Sequence, residues 1–167
     1  GDTVDHLVPT LVIGGMGPED VGVGAQHACL RESTALKCFG AGAQGRLGNG
    51  STDDHNEPVT VSSAGAASGP PAVGREHACS VLTNGQVQCW GANSLGTLGD
   101  GTTINSNTPV RAGSLSGVAQ LEAGDDHVCA LKTDSTLRCW GSNSRGQLGL
   151  FTPLGYMTTP TGVIGFS

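Results

Sequence analysis

Six cysteines and three of the five histidines recur in step along the chain. Cys29, Cys79 and Cys129 lie 50 and 50 residues apart, Cys38, Cys89 and Cys139 lie 51 and 50 apart, and His27, His77 and His127 each precede a cysteine by two. Thiols and imidazoles in a fixed pattern admit metal ligation or disulfide formation. Zinc sites take four ligands and space their cysteines closely, whereas each unit here offers three ligands with eight or nine residues between its cysteines. Hairpin counting favours the disulfide. With Thr83, Asn84 and Gly85 as a three-residue loop closed by glycine, Leu82 faces Gln86 and Cys79 faces Cys89. The same count around Thr133, Asp134 and Ser135 sets Cys129 opposite Cys139. The first unit is one residue shorter, and a four-residue loop from Glu32 to Ala35 sets Cys29 opposite Cys38. Opposed residues on antiparallel strands bring their Cβ atoms within reach of a bond. Three local disulfides are therefore expected in preference to a metal site or free buried thiols. They imply an oxidising compartment, so the protein is expected to be secreted or on a cell surface.

The remaining candidates for chemistry carry less. A histidine repeated three times at equivalent positions reads as a structural hydrogen-bonding residue near an inner strand rather than three active sites. Trp90 and Trp140 directly follow the second cysteine of their units and are expected to pack against a neighbouring unit, with carbohydrate stacking as the alternative. The acidic runs at Asp53-Asp54 and Asp125-Asp126 lack the fixed ligand spacing of a calcium loop and read as solvated loops. Asn49-Gly50-Ser51 is a glycosylation sequon that also reads as a plain turn. No nucleophile elbow or phosphate-cradling loop is present, and no nucleophile is tied to a base. The sequence thus predicts no enzyme and no cofactor.

The elements that must position these residues follow from the repeat. Gly24, Gly74 and Gly124 stand three before each histidine. Cys89-Trp90-Gly91 with Asn93, then Gly96, Leu98 and Gly99, reappear as Cys139-Trp140-Gly141 with Asn143, then Gly146, Leu148 and Gly149. Pro58, Pro109 and Pro160 recur at 51 and 51, where an extended edge segment is expected because proline cannot donate to a ladder. A period near 50 with short strands and glycine turns predicts all-β propeller blades, each a small antiparallel sheet.

This pattern, G-x-x-H-x-C-x-L followed by C-W-G-x-N-x-x-G-x-L-G, resembles the RCC1-type (regulator of chromosome condensation) repeat, in the cysteine-bearing version of secreted bacterial proteins. The resemblance covers about residues 21–167 and implies an RCC1-like β-propeller, commonly of seven blades. Phe39 and Gly42 of the first unit depart from the Trp and Asn of the others, and Leu150-Phe151 replaces Asp100-Gly101. The nucleotide-exchange activity of one family member is not carried over, because fold does not imply function.

The units are drawn as residues 21–72, 73–120 and 121–167, with 1–20 as the tail of a preceding blade, since Pro9-Thr10 echoes Pro160-Thr161. The chain starts at Gly1 and reads as a processed or trimmed product. Composition narrows the function. Eight basic against 14 acidic residues, net −6, supply no basic stripe for nucleic acid. No apolar run reaches the roughly 20 residues of a membrane span. Glycine is abundant, at 28 of 167 residues, while the aromatics (two Trp, one Tyr and three Phe) leave each blade a small core for disulfides to reinforce. Three blades are fewer than the 4–8 of closed propellers. The expected resolutions are missing blades of a longer chain, a dimeric six-blade ring, or head-to-tail assembly. The function expected is a non-enzymatic extracellular module for protein interaction or assembly, its loops at 50–57, 101–108 and 151–159 forming the contact surface. A structural fibre subunit and a carbohydrate-binding or carbohydrate-active domain are the alternatives.

Overall fold

The computed structural model describes residues 3–4, 17–62, 65–152, 154–163 and 165. Most of the proposed tail at 1–20, including Pro9, lies outside the described residues. Among the described residues, twelve strands form three four-stranded antiparallel meanders. Blade 1 holds β1 (Asp20–Val23), β2 (His27–Glu32), β3 (Ala35–Gly40) and β4 (His55–Thr60). Blade 2 holds β5 (Ala72–Val73), β6 (His77–Val81), β7 (Val87–Gly91) and β8 (Ser106–Arg111). Blade 3 holds β9 (Val118–Ala123), β10 (His127–Lys132), β11 (Leu137–Ser142) and β12 (Tyr156–Gly162). The second and third sheets begin at Ala72 and Val118, slightly before the unit boundaries drawn from the repeat. The three sheets do not close a ring among the described residues.

Loop chemistry sets each hairpin. In blade 2 the Leu82 N–H donates to the Gln86 carbonyl at 2.8 Å around a three-residue loop whose Gly85 has φ +75. Blade 3 repeats this with Ser135 in the left-handed region at φ +66. Blade 1 is tighter than the expected four-residue loop. Glu32 pairs with Ala35, leaving Ser33 and Thr34 as a two-residue turn with Ser33 at φ +56. Both loop lengths put the cysteines opposite one another, because removing two residues symmetrically leaves the register unchanged.

The recurring prolines lie inside the outer strands, not at their starts. In all three blades the outer pairing breaks register, between Cys38 and Gly40, Cys89 and Gly91, and Cys139 and Gly141. Pro58, Pro109 and Pro160 fall opposite these breaks, on strands with one sheet neighbour, where a missing N–H costs no ladder bond. The glycine after each aromatic makes the break possible. Gly40, Gly91 and Gly141 have φ of +105, +104 and +94, and a Cβ there would sit about 2.5 Å from the carbonyl oxygen of residue 26, 76 or 126.

Among the described residues, two apolar cores lie between the blades. One gathers Leu36, Leu47 and Val61 of blade 1 with Ala78 and Trp90 of blade 2. The other gathers Val87, Leu98 and Ala112 of blade 2 with Leu121, Val128 and Trp140 of blade 3. Both tryptophans are fully buried, so a chain poor in aromatics places its two largest side chains at its two blade contacts.

Candidate functional site

The cysteines form three disulfides, Cys29–Cys38, Cys79–Cys89 and Cys129–Cys139, with Cα separations of 4.1, 4.0 and 4.2 Å. Each joins directly paired residues of the two central strands of one blade. No group of three or more His, Cys, Asp or Glu among the described residues is placed to hold a metal ion.

The histidines begin those central strands. His27 and His77 are buried at these positions. Neither ring nitrogen of His27 finds a partner, nor does Nε2 of His77. Each ring instead lies against the glycine three residues before it. A Cβ at Gly24 or Gly74 would come within 2.6 or 2.2 Å of the imidazole, with the next blade's carbonyl 2.4 or 2.7 Å away on the other side. Burial, reinforced by the neighbouring Arg46, lowers the His27 pKa to about 4. Burial, followed by the flanking His27 and His127, lowers that of His77 to about 4. Both imidazoles are therefore neutral at pH 7.

Each tryptophan reaches back into the preceding blade. Trp90 Nε1–H donates to the Arg46 carbonyl at 3.2 Å, and Trp140 Nε1–H to the Thr97 carbonyl at 2.9 Å. The indoles press on Gly48 and Gly99, where a Cβ would be 2.7 and 2.8 Å from the ring.

Two residues with structural duties were missed in the sequence reading. Asn93, fully buried, ties the whole 100–105 loop together. The two N–H groups of its Nδ2 are shared among four acceptors at 3.1–3.2 Å, Asp100 Oδ1, the Thr102 carbonyl and hydroxyl, and the Ile104 carbonyl, while Oδ1 accepts the Leu98 N–H at 2.9 Å. Recurrence of Asn93 as Asn143, which accepts the Leu148 N–H at 3.1 Å, was the available signal. In blade 1 this position is Gly42, and the loop backbone itself moves in: a Cβ at Gly42 would be 1.8 Å from the Asp53 carbonyl oxygen. The second is Arg46, only 4% exposed, whose guanidinium bridges Gln26 of blade 1 and Glu76 of blade 2 at 3.3 Å each. A single arginine in one unit leaves no repeat signal.

The loops between the third and fourth strands of blades 2 and 3 carry exposed apolar side chains, as does the first strand of blade 1 at Val21 and Val23. Ile104 in blade 2 is 74% exposed; Phe151 and Leu154 in blade 3 are 94% and 60% exposed. Because the blades repeat, these loops emerge on the same side of the array. An open groove of about 360 Å³ runs over the inner ends of the sheets, lined by residues 23–25, 73–75 and 123–125. Asn49 is part of a turn, its Oδ1 accepting the Ser51 N–H at 3.1 Å. Among the described residues no helix is long and apolar enough to cross a membrane.

Comparison with known proteins agrees with this architecture. Two profiles of the regulator of chromosome condensation (RCC1) repeat match residues 84–131 and 118–147. The ultraviolet-B receptor UVR8 of Arabidopsis thaliana is 32% identical over 123 residues, covering 71% of this chain and 28% of the receptor. The E3 ubiquitin-protein ligase HERC2 of Homo sapiens is 35% identical over 105 residues, 62% of this chain and 2% of the ligase. The chain thus spans well under two thirds of either relative. Among solved structures, human WBSCR16 superposes with a TM-score of 0.73 at 22% identity, over 86% of this chain and 38% of that one. Prp20p of Saccharomyces cerevisiae, described with its binding to Gsp1p and histones, gives 0.73 at 19% identity, over 87% and 36%. At these identities the likeness establishes the fold.

Proposed function

Starting from a chain built of RCC1-type repeats, we propose that it is a non-enzymatic extracellular module that binds a protein partner through the loops following its third strands. The observation that carries this reading is that Ile104, Phe151 and Leu154 stand exposed on equivalent loops of adjacent blades. Apolar groups gathered on one side of a rigid scaffold are the signature of a contact surface. The fold supports it by analogy, since Prp20p binds proteins on the same architecture. The extracellular assignment rests on the three disulfides, which persist in oxidising compartments.

Two experiments test the proposal. Alkylation of the protein taken from its native source, before any reduction, should label no cysteine; labelled thiols would exclude the oxidising compartment. Ile104→Ser with Leu154→Ser should abolish capture of partner proteins from the native extracellular fluid without lowering the melting temperature. Undiminished capture would place the contact surface elsewhere.

A further inference from the structure

Blade 2 is fastened to each neighbour both by a tryptophan and at the inner edge. The tryptophan lies in the preceding blade's glycine turn, backed by an apolar core that holds no titratable group. At the inner edge the Ala25 N–H donates to the Arg75 carbonyl at 3.4 Å, and the Arg75 N–H to the Asp125 carbonyl at 3.0 Å. An imidazole stands beside each of these backbone bonds. His27 lies against Gly24, which directly precedes Ala25, and His77 lies against Gly74, which directly precedes Arg75. The same two glycines meet the carbonyls of Gly74 and Gly124 in the following blade, so both rings are enclosed within junctions internal to the array.

Neither ring has room for a second proton. His27 is 5% exposed and His77 1% exposed, and Nε2 of His77 has no hydrogen-bond partner. His27 faces the Arg46 guanidinium and the backbone of His77, while His77 faces His27 on one side and His127 on the other. The charged residues of the flanking turns bring no relief. Arg75 is cationic and exposed, Glu76 is engaged by Arg46 at 3.3 Å, Asp125 is exposed and Asp126 half-exposed. Among the described residues none of these carboxylates pairs with either ring. An imidazolium formed here would lack both water and a counter-charge, so it becomes stable only once its junction has opened.

We infer that His27 and His77 are acid-sensitive clasps: in an acidic medium the inner edge of blade 2 parts from blades 1 and 3, while the tryptophan contacts and the disulfide-tied hairpins stay closed. This goes beyond the binding reading above and does not rest on it. The direction follows from proton linkage. An opened junction hydrates its ring, which then binds a proton near the ordinary imidazole value of about 6.5, whereas the closed junction does so only near 4. The closed form is therefore fully favoured above about pH 6.5 and loses ground as pH falls toward 4. Between pH 7 and pH 5 each junction opens about 20-fold more often. The indole contacts bind no proton and do not follow.

Amide hydrogen exchange of the intact, disulfide-bonded chain, followed by NMR from pH 7 to pH 5 with intrinsic rates divided out, tests it. The Arg75 amide should lose about 20-fold of its protection. Dilute urea should not speed its exchange, because a parted junction exposes little surface. At pH 5 the Leu82 amide, which closes the blade 2 hairpin, and the Trp140 indole N–H should stay roughly tenfold or more better protected than Arg75. His77→Leu should hold the Arg75 protection constant across this range. If that variant does not fold, His27→Leu must do the same for the Ala25 amide. Arg75 protection that ignores pH in the wild type, or falls equally in the variant, would overturn the inference. So would equal protection of Arg75, Leu82 and Trp140 at pH 5, the mark of acid unfolding the blades as a whole.

Discussion

The indole N–H of Trp140 ends on the carbonyl of Thr97, 2.9 Å away and one blade back in the chain. One bond therefore couples the third strand of a blade to the glycine turn of its predecessor. Both groups are buried, so neither can exchange its partner for water.

Replacing Trp140 with Phe keeps most of the packing and orphans the Thr97 carbonyl. The expected loss is about 1–3 kcal/mol, against about 3–5 kcal/mol for Trp140→Ala, in urea unfolding at neutral pH. If Trp140→Phe unfolds at the wild-type midpoint, the bond contributes nothing to the blade contact.

The repeat pattern would recommend Gly42→Asn, matching Asn93 and Asn143. The structure predicts the opposite effect, because the Asp53 carbonyl already fills that space. Thermal melting should show a destabilisation of about 1–3 kcal/mol, the usual cost of forcing atoms into a packed site. A stabilised variant would mean that the 49–54 loop rests elsewhere in solution.

Cys79→Ala combined with Cys89→Ala opens a crosslink of sequence separation 10 and should lower stability by about 2–3 kcal/mol while leaving the fold intact. Non-reducing peptide mapping of the wild type should find only the pairs 29–38, 79–89 and 129–139. A fragment linking two blades would contradict the strand register.

The neutral, buried His27 and His77 make stability depend on pH. Their folded pKa values, about 4, lie below the roughly 6.5 of a free imidazole, so the unfolded chain binds more protons in between. The stability they permit is complete above about pH 6.5 and is lost as pH falls toward 4, on the order of 3 kcal/mol for each histidine. The melting temperature should therefore drop between pH 7 and pH 5, and His77→Leu should flatten that slope. An equal slope in the variant would assign the loss to other groups.

What could be read from the sequence was set within one blade. Strand alternation and loop length are local, so the pairings of Cys79 with Cys89 and of Cys129 with Cys139 followed from counting outward from Gly85 and Ser135. In blade 1 the count reached the right pair of strand positions around a turn two residues tighter than expected. What could not be read depends on neighbours. Arg46 is buried only because Glu76 and Gln26 flank it from two blades. His27 and His77 are enclosed by glycines and the next blade's backbone, and Nε2 of His77 is left unpaired there. The role of Asn93 was visible as recurrence but not as chemistry, since its acceptors come from a loop with no regular pattern.

Every disulfide closes within one sheet, and among the described residues no covalent bond other than the backbone joins one blade to the next. Under mechanical tension the array would therefore yield in steps. Outer and inner strands peel from each hairpin, while the residues between paired cysteines stay out of the load path and add no length. Each blade that gives way releases a shorter contour than its residue count implies. Adding a reductant during the pull would restore the missing increment, three times over.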